Sequence, residues 1–418
     1  MKTNSILPAG IALLSLCVSA TAAPVKTVPW NGHKGAITFT FDDAYISQLK
    51  YVVPALDKRG IHATFFMIGS SWGENREAWI EIARKGHELG NHTLTHASLG
   101  GLDSVGLENE ISGMADTLRA ADPSIQAITL AYPYCATNEL IDRIADRQNI
   151  VARTCGWDPR WNPRYGWFEP PTKWMEANSF GITDTATVRQ ALTEIDRADS
   201  AGSWFVTLNH GIMDNSYGPI SDTAVEAMFD RALAHDLWIG TYQEIAAYWR
   251  AAQVMDTVTV KASATGWALS WASPHPKMPR QVALRVQLDS AVFGAVPTVT
   301  QNGTVIAREA DGSYVIDFMQ KALSVAKAGS TGIARSASDA GAARLVRSGE
   351  TLRVEGLHTG SYRWSLRNLA GQSLGNGGLS VAGDQGTMLL PHVPSGALLL
   401  VLRSEAGGLC ALPVPAGL

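Results

Sequence analysis

From Ala36 to about Arg250, short apolar runs alternate with stretches of helical spacing. Ile37–Phe41, Ala63–Ile68, Glu88–Gly90, Ile128–Ala131, Ile150–Arg153, Trp204–Leu208 and Leu237–Thr241 read as strands. Between them, Leu107, Ile111, Met114 and Leu118 share one helical face. So do Val188, Leu192 and Ile195, and likewise Val225, Phe229 and Leu233. Leu49, Val53 and Leu56 mark a further helix, which Pro54 should kink. Strand–helix alternation predicts a parallel sheet with helices outside it. About seven such strands closing on themselves predict an α/β fold, an irregular (β/α) barrel, with its site at the C-terminal strand ends.

After Gln253 the pattern changes to short β-rich segments separated by Gly and Pro: Thr257–Ala262, Trp267–Trp271, Val282–Leu288, Thr298–Gln301 and Tyr314–Asp317. These predict one or two small all-β sandwich modules after the barrel. The expected layout is a barrel over 30–252, a β-sandwich module over 255–321, an Ala/Ser/Gly-rich linker over 322–345 and a C-terminal β module over 346–418. Trp267 and Trp271 are four apart, which puts them on one strand face, a spacing more often core than sugar platform.

Composition adds exclusions. The 418 residues are 46% apolar and 17% charged, with 34 basic against 38 acidic side chains, so no basic patch points to nucleic acid. Met1–Ala23 has Lys2, an apolar run from Ile6 to Val18 and then Ala20-Thr21-Ala22. This reads as a signal peptide over 1–22 and predicts a secreted, periplasmic or cell-surface protein. The run is too short to cross a bilayer and no other long uncharged run follows, so no membrane span is expected. Cys17 invites a lipid-anchor reading, against which Leu16 is large where a small residue is wanted. Three Cys then remain. Cys135 and Cys155 both fall near strand ends and are the candidate disulfide, leaving Cys410 single.

The chemistry lies at strand ends. Ile37–Phe41 runs into Asp42-Asp43, adjacent carboxylates that repel unless a cation or a shared proton intervenes, or else a helix N-cap. His92-Thr93-Leu94-Thr95-His96 puts two imidazoles on one helical face, able to share a metal, or else on an exposed turn. His210 follows another strand, where a lone His is usually structural. Taken together, two His and one Asp make a three-ligand set that leaves metal positions open. The second Asp is then free to act as a base and the distant His as an acid.

These residues resemble the polysaccharide deacetylases of carbohydrate esterase family 4, the NodB-homology fold, over roughly Ala36 to Arg250. Thr40-Phe41-Asp42-Asp43, HTLTH, Tyr132-Pro133-Tyr134 and Leu208-Asn209-His210 carry the resemblance, with HATFFMIG and ARKGHELGNHTLTH beside them. The resemblance implies that Asp43, His92 and His96 hold one divalent metal, for which Zn2+ fits. It implies Asp42 as general base, His210 as general acid and the Tyr134 N–H as oxyanion donor. Three positions depart from the family pattern. Ala131 stands where an Arg often steadies the base, and Ala44 where Gly is frequent. Asp158 is the candidate to orient the acid in place of an Asp-Trp element.

The implied substrate is an acetylated polysaccharide or oligosaccharide: N-acetyl groups of chitin, peptidoglycan or exopolysaccharide, or O-acetyl groups of xylan. Without the usual Arg, the better leaving group of an ester would be favoured. Trp157, Trp161 and Trp167, in a loop that runs to Trp174, are candidates to line a glycan groove with Tyr132, or else to pack the loop on itself. The end of the chain resembles sorting or anchoring domains of secreted bacterial enzymes. The competing functional class is a non-catalytic glycan-binding or surface protein on the same fold.

Overall fold

A computed structural model of the chain describes residues 23–155, 173–327 and, between 344 and 414, a set of strand segments. β1 (Val25–Thr27) stands apart from the strands that follow it. The next nine are β2 (Gly35–Thr38), β3 (Thr40–Asp42), β4 (Thr64–Met67), β5 (Glu88–Asn91), β6 (Thr129–Ala131), β7 (Val151–Arg153), β8 (Phe180–Gly181), β9 (Trp204–Leu208) and β10 (Leu237–Ile239).

Two parallel arcs form from these strands, in the orders β3-β4-β5-β6-β7 and β10-β2-β9-β8. β2 and β3 are one strand interrupted at Phe39. A single parallel bridge from Phe41 to Asn209 joins one arc to the other, and Arg153 at the far edge bridges to Ala177, ahead of β8. The result is a curled parallel sheet consistent with a (β/α) barrel. The short strand Phe180–Gly181, an eighth member, has no apolar run that would announce it.

Helices cover the outside because their apolar stripes match the sheet. Ser104–Ala121 buries Leu107, Ile111, Met114 and Leu118, and Asp103 caps its start by accepting from Gly106 N. Thr185–Ala201 begins with a reciprocal cap between Asp184 and Thr187. The expected kink at Pro54 takes another form. A π-turn over Gln48–Val52 runs into a helix over Val53–Arg59, so Pro54 sits in the first turn, where no N–H is missed.

Tyr242–Met255 is buried on ten of its fourteen residues. It lies between the barrel and the strands that follow, and one apolar cluster runs from Val206 and Trp204 through this helix to Leu284, Ile316 and Val325.

Those later strands are β11 (Thr259–Ala262), β12 (Gly266–Ser270), β13 (Ala283–Leu288), β14 (Thr298–Gln301), β15 (Thr304–Ile306), β16 (Tyr314–Asp317) and β17 (Ala322–Ala326). They form antiparallel sheets ordered β11-β12-β17-β14-β15 and β1-β13-β16. β1 thus pairs with β13, across most of the chain. β17 corrects the linker reading, since the first five residues of 322–345 are a sheet strand. Leu323 and Val325 alternate inward there, and β17 pairs with β12 and β14. Trp271 is buried and donates to the Phe318 carbonyl, while Trp267 packs edge-on against Phe293. Farther on, the described strands form sheets of three and four antiparallel strands. No helix among the described residues is long and apolar enough to cross a membrane.

Candidate metal and active site

Asp42, Asp43, His92, His96, Tyr134 and His210 line one cleft of about 780 Å³ at the C-terminal ends of the barrel strands. Seven of the twelve non-glycine residues with positive φ among the described residues are in the turns around it: Asp43, Ala44, Thr93, His96, Tyr134, Cys135 and Met213. Strain of this kind concentrates where function fixes the backbone.

The Asp42-Asp43 pair leaves the sheet rather than capping a helix. Asp42 N donates to the Asn209 carbonyl (2.8 Å), and Asp43 and Ala44 then turn at φ 72° and 57°. The His-x-x-x-His segment is not helical, which corrects the expectation of one helical face. It is an irregular turn with positive φ at Thr93 and His96. Local polar groups impose that shape. Asn91 Oδ1 accepts from Thr93 N (2.8 Å), and the buried Glu110 carboxylate accepts from Thr95 N (2.9 Å) and Thr95 Oγ1 (2.6 Å).

The turn brings His92 Nε2 to 3.4 Å and His96 Nε2 to 3.7 Å from Asp43 Oδ1. These three residues are the only group of ligand-type side chains found in mutual reach among the described residues. They fit a divalent cation. His92 Nδ1 lies 2.7 Å from the Ala131 carbonyl, which can only accept, so Nδ1 carries the proton and Nε2 keeps its lone pair. Asp43 Oδ1 is buried without a hydrogen-bond partner. Burial opposes ionisation of Asp43, but the imidazoles of His92, His210 and His96 outweigh it and hold the carboxyl below its ordinary range. Burial lowers the His96 imidazole, reinforced by neighbouring His92. Burial and then the Asp43 charge push Tyr45 up to about 12, so its phenol is neutral.

Residues 31–152 match the family model for polysaccharide deacetylase. Over that span the chain resembles the polysaccharide deacetylases. It is 29% identical over 138 residues to a chitin deacetylase from a Pestalotiopsis species, covering 30% of this chain and 46% of that one. A chitooligosaccharide deacetylase from Rhizobium leguminosarum is 30% identical over 127 residues, covering 30% and 58%. A peptidoglycan-N-acetylglucosamine deacetylase from Bacillus cereus is 25% identical over 194 residues, covering 45% and 54%. The chain thus spans about half the length of these curated relatives. A solved family 4 carbohydrate esterase from Streptomyces lividans, in complex with acetate, matches over 50% of this chain and 93% of its own, at 18% identity and a TM-score of 0.36.

The cleft contains a residue that the motifs do not mark. Arg153 on β7 is 1% exposed and pairs directly with the Asp42 carboxylate, itself 3% exposed. Its position explains why the family Arg can be absent. Ala131 and Arg153 are cross-strand neighbours in the β6–β7 register, so the cation enters from one strand over. Phe66 lies under the guanidinium, 4.8 Å from its carbon to the ring centroid. A buried Arg in an apolar strand was the available signal, since such a residue needs an anionic partner.

Gln48 was also missed. Its buried amide donates to the Asp42 carbonyl (2.6 Å) and the His210 carbonyl (3.1 Å), tying the two ends together. His210 Nε2 lies 4.0 Å from Asp43 Oδ2, and the ring meets Tyr217 edge-on at 5.2 Å. Its Nδ1 is buried without a hydrogen-bond partner.

Tyr132, expected to line the substrate path, is 2% exposed, and its phenol donates to Asp142 (3.2 Å). The ring is a core residue at the cleft wall, because the apolar cluster of Leu107, Leu130 and Ile144 takes it in. Trp174 packs under Arg250 and against Trp249. Asp158, Trp157, Trp161 and Trp167 lie outside the described residues, as do residues 1–22, where a signal peptide is expected. Cys135 and Cys155 form a disulfide with Cα atoms 5.2 Å apart.

Proposed function

We propose that this protein hydrolyses acetyl groups from a polysaccharide or its oligosaccharides. The observation that carries the reading is the convergence of a three-ligand set, a buried carboxylate with its own Arg, and a further His in one cleft. Asp43, His92 and His96 would hold the cation, and Zn2+ suits two imidazoles and a carboxylate. When bound, such a cation lowers the pKa of water toward neutrality and polarises the acetyl carbonyl.

The chain's own groups do the rest. Asp42, kept in place by Arg153, takes the proton from the attacking water. The Tyr134 N–H donates to the oxyanion as the carbonyl becomes tetrahedral, a contact worth about 3 kcal/mol in comparable sites. His210 gives a proton to the departing nitrogen or oxygen, so acetate and a free amine or hydroxyl result. Asp158 is our candidate to orient His210, and Trp157, Trp161 and Trp167 are our candidates for glycan contact. Arg153 removes the reason for favouring an ester, because the base does not lack its cation.

We also propose export through residues 1–22, a sandwich formed by the sheets β11-β12-β17-β14-β15 and β1-β13-β16, and a separate module after 346. Acetate release from acetylated xylan and from N-acetylglucosamine oligomers, measured side by side with Zn2+-loaded protein, tests the activity. Release from either supports it. Release from neither, with metal content verified, favours a non-catalytic glycan-binding role.

A further inference from the structure

The turn that carries the proposed oxyanion donor is held in an unfavourable shape. Tyr134 and Cys135 both have positive φ, 54° and 61°, in successive positions and without a glycine. A Cβ in the left-handed region crowds the neighbouring carbonyl, so such a pair persists only where the surroundings hold it. The turn's own backbone bonds are few: Cys135 N to the Tyr132 carbonyl (3.0 Å) and Ala136 N to the Pro133 carbonyl (3.3 Å). The Tyr134 side chain supplies little anchorage, being 68% exposed, with one edge contact to His96 at 4.7 Å.

The other strained turns of the cleft are tied differently. Thr93 and His96 are fixed by Asn91 and Thr93 side chains, and the turn between them by Glu110. The Tyr134–Cys135 turn instead has a covalent tie. Cys135 is bonded to Cys155, two residues beyond Arg153. That end of β7 is firmly seated. Thr154 N donates to the Ala177 carbonyl (2.9 Å), and Ser179 Oγ donates to the Thr154 carbonyl (2.6 Å). Both cysteines line the cleft beside Tyr134.

We infer that the Cys135–Cys155 disulfide is a positioning element for the reaction: it fixes the left-handed turn that aims the Tyr134 N–H, using the end of β7 as its anchor. The inference rests on the deacetylase reading for its kinetic consequence. Its geometric content stands on the turn alone.

The test compares the oxidised parent with Cys135→Ala/Cys155→Ala and Cys135→Gly/Cys155→Ala, all Zn2+-loaded. Two readouts are taken: hydrogen exchange, and acetate release from N-acetylglucosamine oligomers and acetylated xylan. Opening the bond should raise exchange over 132–137 about 10-fold or more while the strand at 37–42 stays protected, which also verifies folding. On whichever substrate the parent turns over, kcat should fall about 10-fold, with KM within about twofold, because loss of an oxyanion donor acts on the transition state. Glycine takes φ near +60° without penalty, so the Gly/Ala pair should recover most of the lost kcat, a rescue that a merely stabilising disulfide would not produce. Unchanged exchange over 132–137 in the Ala/Ala pair overturns the inference. So does an unchanged kcat in a parent that turns over. A parent that releases no acetate defeats the deacetylase reading instead, and the exchange result still decides the role of the disulfide.

Discussion

Arg153 offers a quantitative test of how the proposed base, Asp42, is held. Replacing it with Met keeps volume and removes the cation from a carboxylate that is almost wholly buried. At a charge separation of roughly 4 Å and an effective dielectric of about 20, the lost attraction is about 4 kcal/mol. That agrees with the roughly 3–5 kcal/mol that follows from leaving one partner of a buried pair alone. At roughly 2–4 °C per kcal/mol for a domain of this size, Arg153→Met should lower the melting midpoint by on the order of 10 °C. Turnover should fall at least about 100-fold, the lower range of what a positioned base contributes. Two further variants separate charge from structure. Asp42→Asn combined with Arg153→Met should melt higher than Arg153→Met alone, since no buried carboxylate is left unpaired. Arg153→Ala with Ala131→Arg returns the cation from the adjacent strand and should restore part of the turnover. The assays are thermal unfolding by circular dichroism and acetate release from the substrate the parent uses. An Arg153→Met protein that melts within about 2 °C of the parent and keeps its turnover would refute the reasoning.

Other consequences can be measured with the same protein. Glu88 is buried, and burial raises its carboxyl to about 7 from 4.5 against the opposing bonds from Thr129, Gln243 N and Thr64. The folded state therefore keeps its proton where the unfolded state has lost it. Its contribution is fully present below about pH 4.5 and is lost as pH rises through about 7, by roughly 3 kcal/mol in all. Glu88→Gln should flatten that part of the stability profile, and identical profiles for parent and variant between pH 5 and pH 8, taken as approximate limits, would contradict it. Gln48→Ala strips a donor from the carbonyls of Asp42 and His210, the proposed base and acid, so kcat should drop about 10-fold with metal content unchanged; a drop traced to lost metal would point elsewhere. Chelation of bound Zn2+ should lower the melting midpoint reversibly, whereas Asp43→Ala should melt alike with and without chelator.

The barrel strands were legible because each apolar run is short and bounded, and the helical stripes because their spacing matches one face. β8 was not, as two residues carry no periodicity. β17 was hidden because Ala and Ser dominate its composition, while its Leu323/Val325 alternation is the part that packs. In the site, Asp42, Asp43, His92, His96 and His210 stood at recognisable strand ends. The shape joining the two imidazoles did not follow from their spacing, since it depends on Asn91 and Glu110 bonding to the backbone. Arg153 was concealed for a different reason. Motif reading looks along one strand, and its partner Ala131 is a neighbour only across the sheet.

The central claim meets its most direct test in one comparison: acetate released by the Zn2+-loaded parent and by Asp42→Asn, on acetylated xylan and on N-acetylglucosamine oligomers. The account predicts release by the parent from at least one substrate and, on that substrate, a loss of about 100-fold or more in Asp42→Asn with its metal retained. Equal release by both proteins would contradict the assignment of the base, and release by neither would contradict the proposed activity.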